Sequence, residues 1–273
     1  MLKKYSKMFS AFLVGALLFT SIGVALADSS TMGTWISFSA NGKNYDSVSY
    51  CYTYTNIGAD SATQVNLKGT AAVGDMGAMA RLYNSSGTLK VSSTWSYNTN
   101  TGTNKALLVY TGRNLGSEYY YGQGQARAYN GNGYNTYTTN RTPNCYLGPI
   151  LVKAPLGQNL DTLESLELDI DTIDSSLKAV RINDNGQTYG SSLFIPEQEL
   201  DLIAAESIDG IEGYILNKDL NEEIPTTREE AIAQMQKNQQ EGKKIIPVYA
   251  VDGKTVVGEF IFETARVEEF EWQ

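Results

Sequence analysis

Short runs of alternating apolar and polar side chains fill residues 34–150, and this period of two is typical of strands with one buried face. In the clearest run, Tyr50, Tyr52 and Tyr54 alternate with smaller side chains. Turn-forming segments such as Asn130-Gly131-Asn132-Gly133 separate the runs. About seven or eight short strands with turns at this spacing predict an antiparallel β-sandwich, with a barrel as the alternative.

The pattern changes in the second half of the chain. Thr227 and Glu230 have the spacing of a capping box, so we expect a helix over residues 228–241 that ends before a glycine. Its apolar stripe is thin, which predicts a helix that lies on a sheet as a partly exposed cover. Apolar runs on both sides of Asp252-Gly253 predict a β-hairpin, and shorter runs over residues 178–217 predict further strands. Together these features predict a small α+β unit.

We therefore expect a mainly β protein with a secretory signal and two domains. Residues 1–27 have the basic start, apolar run and small-residue cleavage site of a signal peptide, with an uncleaved membrane anchor as the alternative. The β-sandwich domain is expected over residues 28–152 and the acidic α+β domain over residues 161–273. Residues 153–160, which contain Pro and Gly, are the predicted linker. After cleavage no membrane span is expected, so we predict a secreted, extracellular protein that associates with the cell wall.

Charge is divided unevenly along the chain, whose formal net charge is −9. Residues 28–157 hold 9 basic and 5 acidic side chains, whereas residues 158–273 hold 9 basic and 25 acidic ones. Phosphate attraction needs clustered Lys and Arg, so this balance argues against nucleic acid as a partner. The scattered charges of the first half are interpreted as a solvated surface.

Histidine and cysteine usage narrows the chemistry further. The chain has no histidine, which excludes Ser-His-Asp and Cys-His catalysis and removes the commonest zinc ligand. Cys51 and Cys145 are the two cysteines, and outside the cell we expect them to form one disulfide, with two buried free thiols as the alternative. No catalytic, cofactor-binding or metal site is predicted.

The best functional lead is the abundance of tyrosine in the first half. Tyrosine rings can stack on sugar rings while Asn, Gln and Thr hydrogen-bond the hydroxyl groups. The alternative is structural, because Tyr and Thr favour strands and pair across a sheet. The candidate ligand platform comprises Tyr119, Tyr121, Tyr129, Tyr134 and Tyr137.

Carboxylates offer two weaker leads. Glycoside hydrolysis needs two acids across a cleft, and Asp75 and Glu118 are the candidates, although neither has a motif around it. The acidic residues between 161 and 174 could hold calcium, but they lack the spacing of a calcium loop and are interpreted as a solvated face.

Several segments resemble small secreted β-rich proteins of Gram-positive bacteria such as clostridia. In the first half these are Gly77-Ala78-Met79-Ala80-Arg81-Leu82-Tyr83, Ser92-Ser93-Thr94-Trp95-Ser96-Tyr97-Asn98 and residues 130–137. In the second half they are residues 183–190, 212–215, 225–231, 246–249 and 252–258. The resemblance implies an uncharacterised class of secreted two-domain proteins and carries no catalytic residue or ligand.

These observations favour a non-enzymatic extracellular binding or cell-envelope-associated protein that presents a Tyr-rich β-sandwich face. Its expected partner is cell-wall polysaccharide or an extracellular protein. One alternative is a bacteriocin-like secreted effector. Another is a glycan hydrolase with an unrecognised carboxylate pair.

Overall fold

A computed structural model describes residues 27–148, 178–196, 199–221 and 223–272. The predicted signal peptide (apart from its last residue), the linker and the acidic residues 161–174 lie outside the described residues. Neither helix in the described ranges has the length and apolar character needed to cross a membrane.

Residues 27–148 form fifteen strands, about twice the seven or eight that the alternating pattern predicts, because many of them are only two to four residues long. They are β1 (Ser29–Met32), β2 (Ile36–Ala40), β3 (Lys43–Tyr54), β4 (Gly58–Lys68), β5 (Thr70–Ala71), β6 (Met76–Met79), β7 (Arg81–Asn84), β8 (Leu89–Ser93), β9 (Ser96–Tyr97), β10 (Gly102–Thr103), β11 (Lys105–Tyr110), β12 (Tyr119–Gly122), β13 (Gln125–Tyr129), β14 (Tyr134–Thr138) and β15 (Cys145–Tyr146).

The remaining described residues add seven strands and two helices. They are β16 (Arg181–Ile182), β17 (Thr188–Gly190), β18 (Leu202–Glu206), β19 (Glu212–Leu216), α1 (Asn217–Leu220), α2 (Arg228–Glu241), β20 (Lys244–Tyr249), β21 (Val256–Glu263) and β22 (Arg266–Glu271). The predicted hairpin around Asp252-Gly253 is confirmed as β20 and β21.

The strands pair in four sheets that are largely antiparallel. A six-stranded sheet has the order β1-β3-β4-β11-β22, with β2 on β3, and a four-stranded sheet has the order β14-β13-β6-β9. A ten-stranded sheet runs β15-β12-β7-β8-β21-β20-β19-β18-β17-β16, and β5 pairs with β10. The mainly β class is therefore confirmed, while the sandwich topology stays a prediction.

Strands from the two predicted domains pair directly with one another. In the ten-stranded sheet β21 lies parallel to β8, and in the six-stranded sheet β22 lies antiparallel to β11. Opposite charges meet across the same boundary: Lys90 Nζ lies 2.6 Å from Glu206, and Lys105 Nζ lies 3.3 Å from Glu271. The division into two domains is not confirmed, and its boundaries stay a prediction.

Buried apolar side chains fill the space between the six-stranded and the four-stranded sheet. Burying one large apolar side chain stabilises the fold by roughly 1.5–3 kcal/mol, so this cluster is a main source of stability. Its members from β3, β4, β6, β11 and β13 are Tyr45, Val65, Leu67, Met76, Ala78, Leu107, Val109, Ala126 and Ala128.

Two glycines allow the chain between β12 and β13 to lie against β3 and β4. A Cβ atom on Gly122 would overlap the carbonyl oxygen of Tyr50, and one on Gly124 would overlap Thr63 Oγ1. Only glycine permits such a close approach of two backbones. Gln123 lies between these glycines, and its side chain lines the cavities described below.

Helix α2 has the predicted bounds, and its ends have the predicted chemistry. Glu230 N donates to Thr227 Oγ1 at 3.1 Å, and the helix ends at Gly242, whose φ of 76° favours glycine. Ala231 and Met235 pack on Trp95, Tyr97 and Tyr134. The helix is therefore a cover on a sheet, as predicted, but that sheet is built by the first half of the chain.

Candidate functional site

The five tyrosines of the predicted platform divide between two sheets. Tyr119 and Tyr121 lie on β12 of the ten-stranded sheet, whereas Tyr129, Tyr134 and Tyr137 lie on β13 and β14 of the four-stranded sheet. Tyr121 and Tyr134 are buried, and the other three are half-buried. The structure does not bring the five rings together into one exposed row.

Four of these tyrosines are engaged within the fold. The Tyr134 hydroxyl donates to the carbonyl oxygen of Gly74 at 2.5 Å, and burial raises the pKa of this phenol. Tyr129 packs edge-on against Tyr134, with their ring centroids 5.5 Å apart. Tyr119 packs on Tyr146 at 4.5 Å, and burial raises the pKa of Tyr121. These contacts fit the structural alternative, in which strand tyrosines pair across the sheet.

Tyr137 lies on the edge strand β14, and unlike the other four tyrosines it lines a cavity. Its ring stacks on Phe38 of β2, with centroids 4.0 Å apart and planes at 17°. Phe38 stacks in turn on Tyr45, which belongs to the buried cluster. The buried cluster therefore supports the stacked pair Phe38 and Tyr137. The pair lines an open cavity of about 680 Å³.

This outer cavity lies next to a second cavity of about 280 Å³, which we call the inner cavity, and we call the two together the polar groove. Gln123, Thr138 and Pro196 line both cavities. The wall of the outer cavity carries hydroxyl and amide side chains beside the aromatic pair, namely Ser37, Thr136, Thr139 and Asn140. The groove is therefore bounded by the edge strand β14, by β2 and by residues 192–196 and 199–200 of the second half.

The inner cavity is lined by a buried arginine. Arg81 on β7 is 4% exposed, and its Nη2 donates to Asn221 Oδ1 at 2.9 Å. Its Nε is buried and has no hydrogen-bond partner among the residues that the structure describes. Nearby, the hydroxyl groups of Tyr83 and Ser192 lie 3.0 Å apart, and Gln123 Nε2 donates to the Thr139 carbonyl at 3.2 Å.

Positive charge dominates the groove. Arg141, in the outer cavity, packs 5.4 Å from the ring centre of Tyr121 and 5.5 Å from that of Phe194. Its Nη1 is buried without a hydrogen-bond partner. Lys178 and Arg81 add two further cations, whereas Glu199 is the one acidic residue among the described lining residues. A basic groove on a chain of net charge −9 favours an anionic ligand.

The two cysteines lie together in one buried cluster. Cys145 Sγ is 3.6 Å from the carbonyl oxygen of Cys51, and both side chains are free thiols in the structure. Burial raises the pKa of the Cys51 thiol well above its usual value. The structure thus brings the pair into contact without a bond between them, and the disulfide stays a prediction.

The carboxylates considered for hydrolysis are held in ion pairs. Asp75 is buried and contacts Lys43 at 2.5 Å and Arg228 at 3.0 Å. Glu118 contacts Lys90 at 3.0 Å. Within the described ranges no three metal-ligating side chains cluster closely enough to hold an ion.

Comparison of the chain with protein-family models, with curated proteins and with solved structures finds no match. The resemblance to secreted proteins of Gram-positive bacteria stays a prediction from the sequence. Function is therefore inferred from the geometry of the polar groove.

Proposed function

We propose that this chain is a secreted, non-enzymatic binding protein that holds a polysaccharide of the cell wall in the polar groove. The observation that carries the proposal is the stacked pair Phe38 and Tyr137, set beside the hydroxyl and amide groups of β14 and its neighbours. Sugar rings offer an apolar face for aromatic stacking and hydroxyl groups for hydrogen bonding. The outer cavity presents both kinds of contact side by side.

The size of the groove supports a ligand larger than an ion. The outer cavity of about 680 Å³ falls within the range of 300–1,000 Å³ typical of small-molecule sites. It is open at the surface, and it shares Gln123, Thr138 and Pro196 with the neighbouring inner cavity. Such a shape suits one or a few units of a longer chain whose ends remain in solvent.

The small number of carboxylates in the groove supports binding of a polysaccharide rather than its cleavage. Glycoside hydrolysis uses two carboxylates on either side of the bond. Glu199 is the one carboxylate among the described lining residues, and Asp75 and Glu118 are held by lysine and arginine elsewhere. The lack of histidine points the same way, because the commonest acid–base side chain near neutral pH is missing.

The proposal is tested by calorimetric titration of the purified protein with soluble polysaccharides. The panel comprises a neutral glucan, a uronic-acid polymer and a glycerol-phosphate polymer. Tyr137→Ala removes the stacking plane, and we expect it to weaken binding about tenfold, because an aromatic stack contributes about 1–1.5 kcal/mol. Tyr249→Ala, at a half-buried tyrosine on β20 outside the groove, is the matched control and keeps the affinity of the wild type.

A Tyr119→Ala variant addresses the competing position on β12. Loss of binding in this variant with full binding by Tyr137→Ala would place the ligand on the ten-stranded sheet and overturn the proposal. Failure of the wild type to bind any polymer of the panel at millimolar concentration would overturn it as well. Thermal melts of each variant confirm that the fold is retained.

A further inference from the structure

Arg81 is buried, and no described residue provides a partner for its charge. It lies on β7, which is flanked by β8 and β12, and it is 4% exposed. Its hydrogen bond goes to the neutral Asn221, and Nε has no partner. No carboxylate oxygen of the described residues lies within 4.0 Å of a nitrogen of the Arg81 guanidinium. Buried guanidinium groups are ordinarily paired with an anion, because removing an uncompensated charge from water is costly.

The inner cavity next to this guanidinium is large enough for an anionic group. Its volume of about 280 Å³ is many times the roughly 30 Å³ that one water molecule occupies. Tyr83, Ser192 and Asn217 also line it and offer hydroxyl and amide groups. A carboxylate or phosphate beside Arg81 would find a charged donor and neutral polar groups, and the exposed Glu199 is the one carboxylate among the described residues that line this cavity.

A second buried guanidinium atom without a described hydrogen-bond partner belongs to Arg141, which lines the neighbouring outer cavity. Arg141 Nη1 is buried without a hydrogen-bond partner, and Arg141 lines the outer cavity that shares Gln123 and Thr138 with the inner one. Two arginines with unsatisfied donors along one groove match an anionic chain better than a neutral one.

We propose that the inner cavity is an anion subsite, in which Arg81 binds the carboxylate or phosphate oxygens of an acidic polysaccharide. This inference rests on the proposed function and names its ligand class. The guanidinium fork of Arg81 provides the charged donor, and Arg141 draws the negative chain along the groove. The anion neutralises Arg81, so the protein is more stable with the ligand than without it.

The first experiment tests the subsite without a polymer. Thermal denaturation of the full chain is followed with and without glucuronate or inorganic phosphate. We expect each effective anion to raise the melting temperature of the wild type and to leave that of Arg81→Gln unchanged. Lys237→Gln removes one positive charge at an exposed position of α2 outside the groove and should respond like the wild type. Absence of any anion-dependent shift in the wild type would overturn the subsite.

The second experiment uses the polymers. Arg81→Gln is expected to weaken binding of the anionic polymer about tenfold or more, since the substitution removes a hydrogen bond between two charged groups. Binding of the neutral glucan should stay within about twofold of the wild type. The uronic-acid and glycerol-phosphate polymers show whether the preferred anion is a carboxylate or a phosphate.

The outcomes separate the two proposals. If the wild type binds anionic polymers and Arg81→Gln binds them equally well, the subsite is wrong and the groove proposal stands. If no polymer binds but the anion shift is present and lost in Arg81→Gln, the subsite stands and the polysaccharide proposal is wrong. Asn221→Asp provides an independent variant, because it places a carboxylate beside Arg81. We expect it to stabilise the ligand-free protein and to abolish the anion shift; a retained shift would contradict the subsite.

Discussion

The buried carboxyl of Asp60 gives the stability of this protein a specific pH dependence. Asp60 on β4 is 3% exposed; Arg113 Nε lies 3.5 Å from its Oδ2, and Oδ1 has no hydrogen-bond partner. Burial raises the pKa of this carboxyl from 3.8 to about 6, and Arg113 and Arg266 oppose the rise. The other groups that influence it are tyrosine phenols and the Cys51 thiol, which remain neutral at these pH values.

The size of the effect follows from linkage. The folded-state pKa of Asp60 lies above that of the unfolded chain, so the unfolded state loses its proton first as the pH rises. The folded state is therefore destabilised progressively between about pH 4 and pH 6. One pKa unit corresponds to about 1.4 kcal/mol, so a shift of about two units removes about 3 kcal/mol.

The assay is urea denaturation of the wild type and of Asp60→Asn at a series of pH values from about 4 to 8. The free energy of unfolding of the wild type, minus that of the variant, should fall by about 3 kcal/mol as the pH rises to neutrality. A difference that stays constant across this range would refute the reasoning. The result does not depend on the absolute cost of the substitution, because only the change with pH is compared.

Asp201 provides a control of opposite sign. Its exposed carboxylate accepts hydrogen bonds from Thr188 N and Thr188 Oγ1, both at 2.8 Å, and these bonds lower its pKa. The stabilisation is present above the pKa of the unfolded chain and is lost as the pH falls. Asp201→Asn should therefore cost stability at neutral pH and progressively less in acid. A common trend for both variants would indicate an effect of the whole protein rather than of Asp60.

Three further predictions concern the fold. Gly124→Ala should lower the free energy of unfolding by about 1–3 kcal/mol or more, because the added methyl overlaps Thr63 Oγ1 and the Met79 carbonyl; a wild-type urea midpoint would contradict it. Thr227→Ala should cost about 1 kcal/mol through loss of the helix cap, and Thr227→Asp should restore most of it; equal stability of all three proteins in urea would show that the cap is unimportant. Protein secreted into an oxidising medium should carry a Cys51–Cys145 disulfide in its peptide map, and its reduction should cost up to about 4–5 kcal/mol; two free thiols in that map would disprove the disulfide.

Local signals in the sequence predicted local structure well. The bounds of α2 follow from Thr227, Glu230 and Gly242, which act within one turn of the helix ends. One detail differs from a standard capping box: the Glu230 carboxylate accepts from Thr226 N at 2.8 Å and Thr226 Oγ1 at 2.7 Å. The hairpin of β20 and β21 was equally predictable, because the turn residues lie between its two strands.

Pairing between distant strands could not be predicted. The contacts of β22 with β11 and of β21 with β8 join residues far apart in the sequence, and no local pattern encodes such partners. The change in charge along the chain suggested two separate domains. In the structure some of the basic side chains of the first half form ion pairs with acidic side chains of the second half, such as Lys90 with Glu206.

The candidate site was predictable only in part. A period of two shows that a tyrosine lies on one face of a strand, but not whether another layer covers that face. Tyr134 and Tyr137 lie three residues apart and therefore on opposite faces of β14. Helix α2 covers Tyr134 through Met235 and Ala231, whereas Tyr137 lines the groove, and the sequence does not show which face the helix covers. Arg81 is not among the residues singled out from the sequence, although it shares its face of the alternating pattern with Met79 and Tyr83. A charged residue on an otherwise apolar face is a signal for a functional arginine.

The most direct test of the polysaccharide groove is a crystal structure of the protein with a short uronic-acid oligosaccharide. We predict electron density for a sugar ring against Tyr137 and for a carboxylate within hydrogen-bonding distance of the Arg81 guanidinium. An oligosaccharide ordered on the β12 face around Tyr119, with the groove between β2 and β14 filled by water alone, would contradict this account.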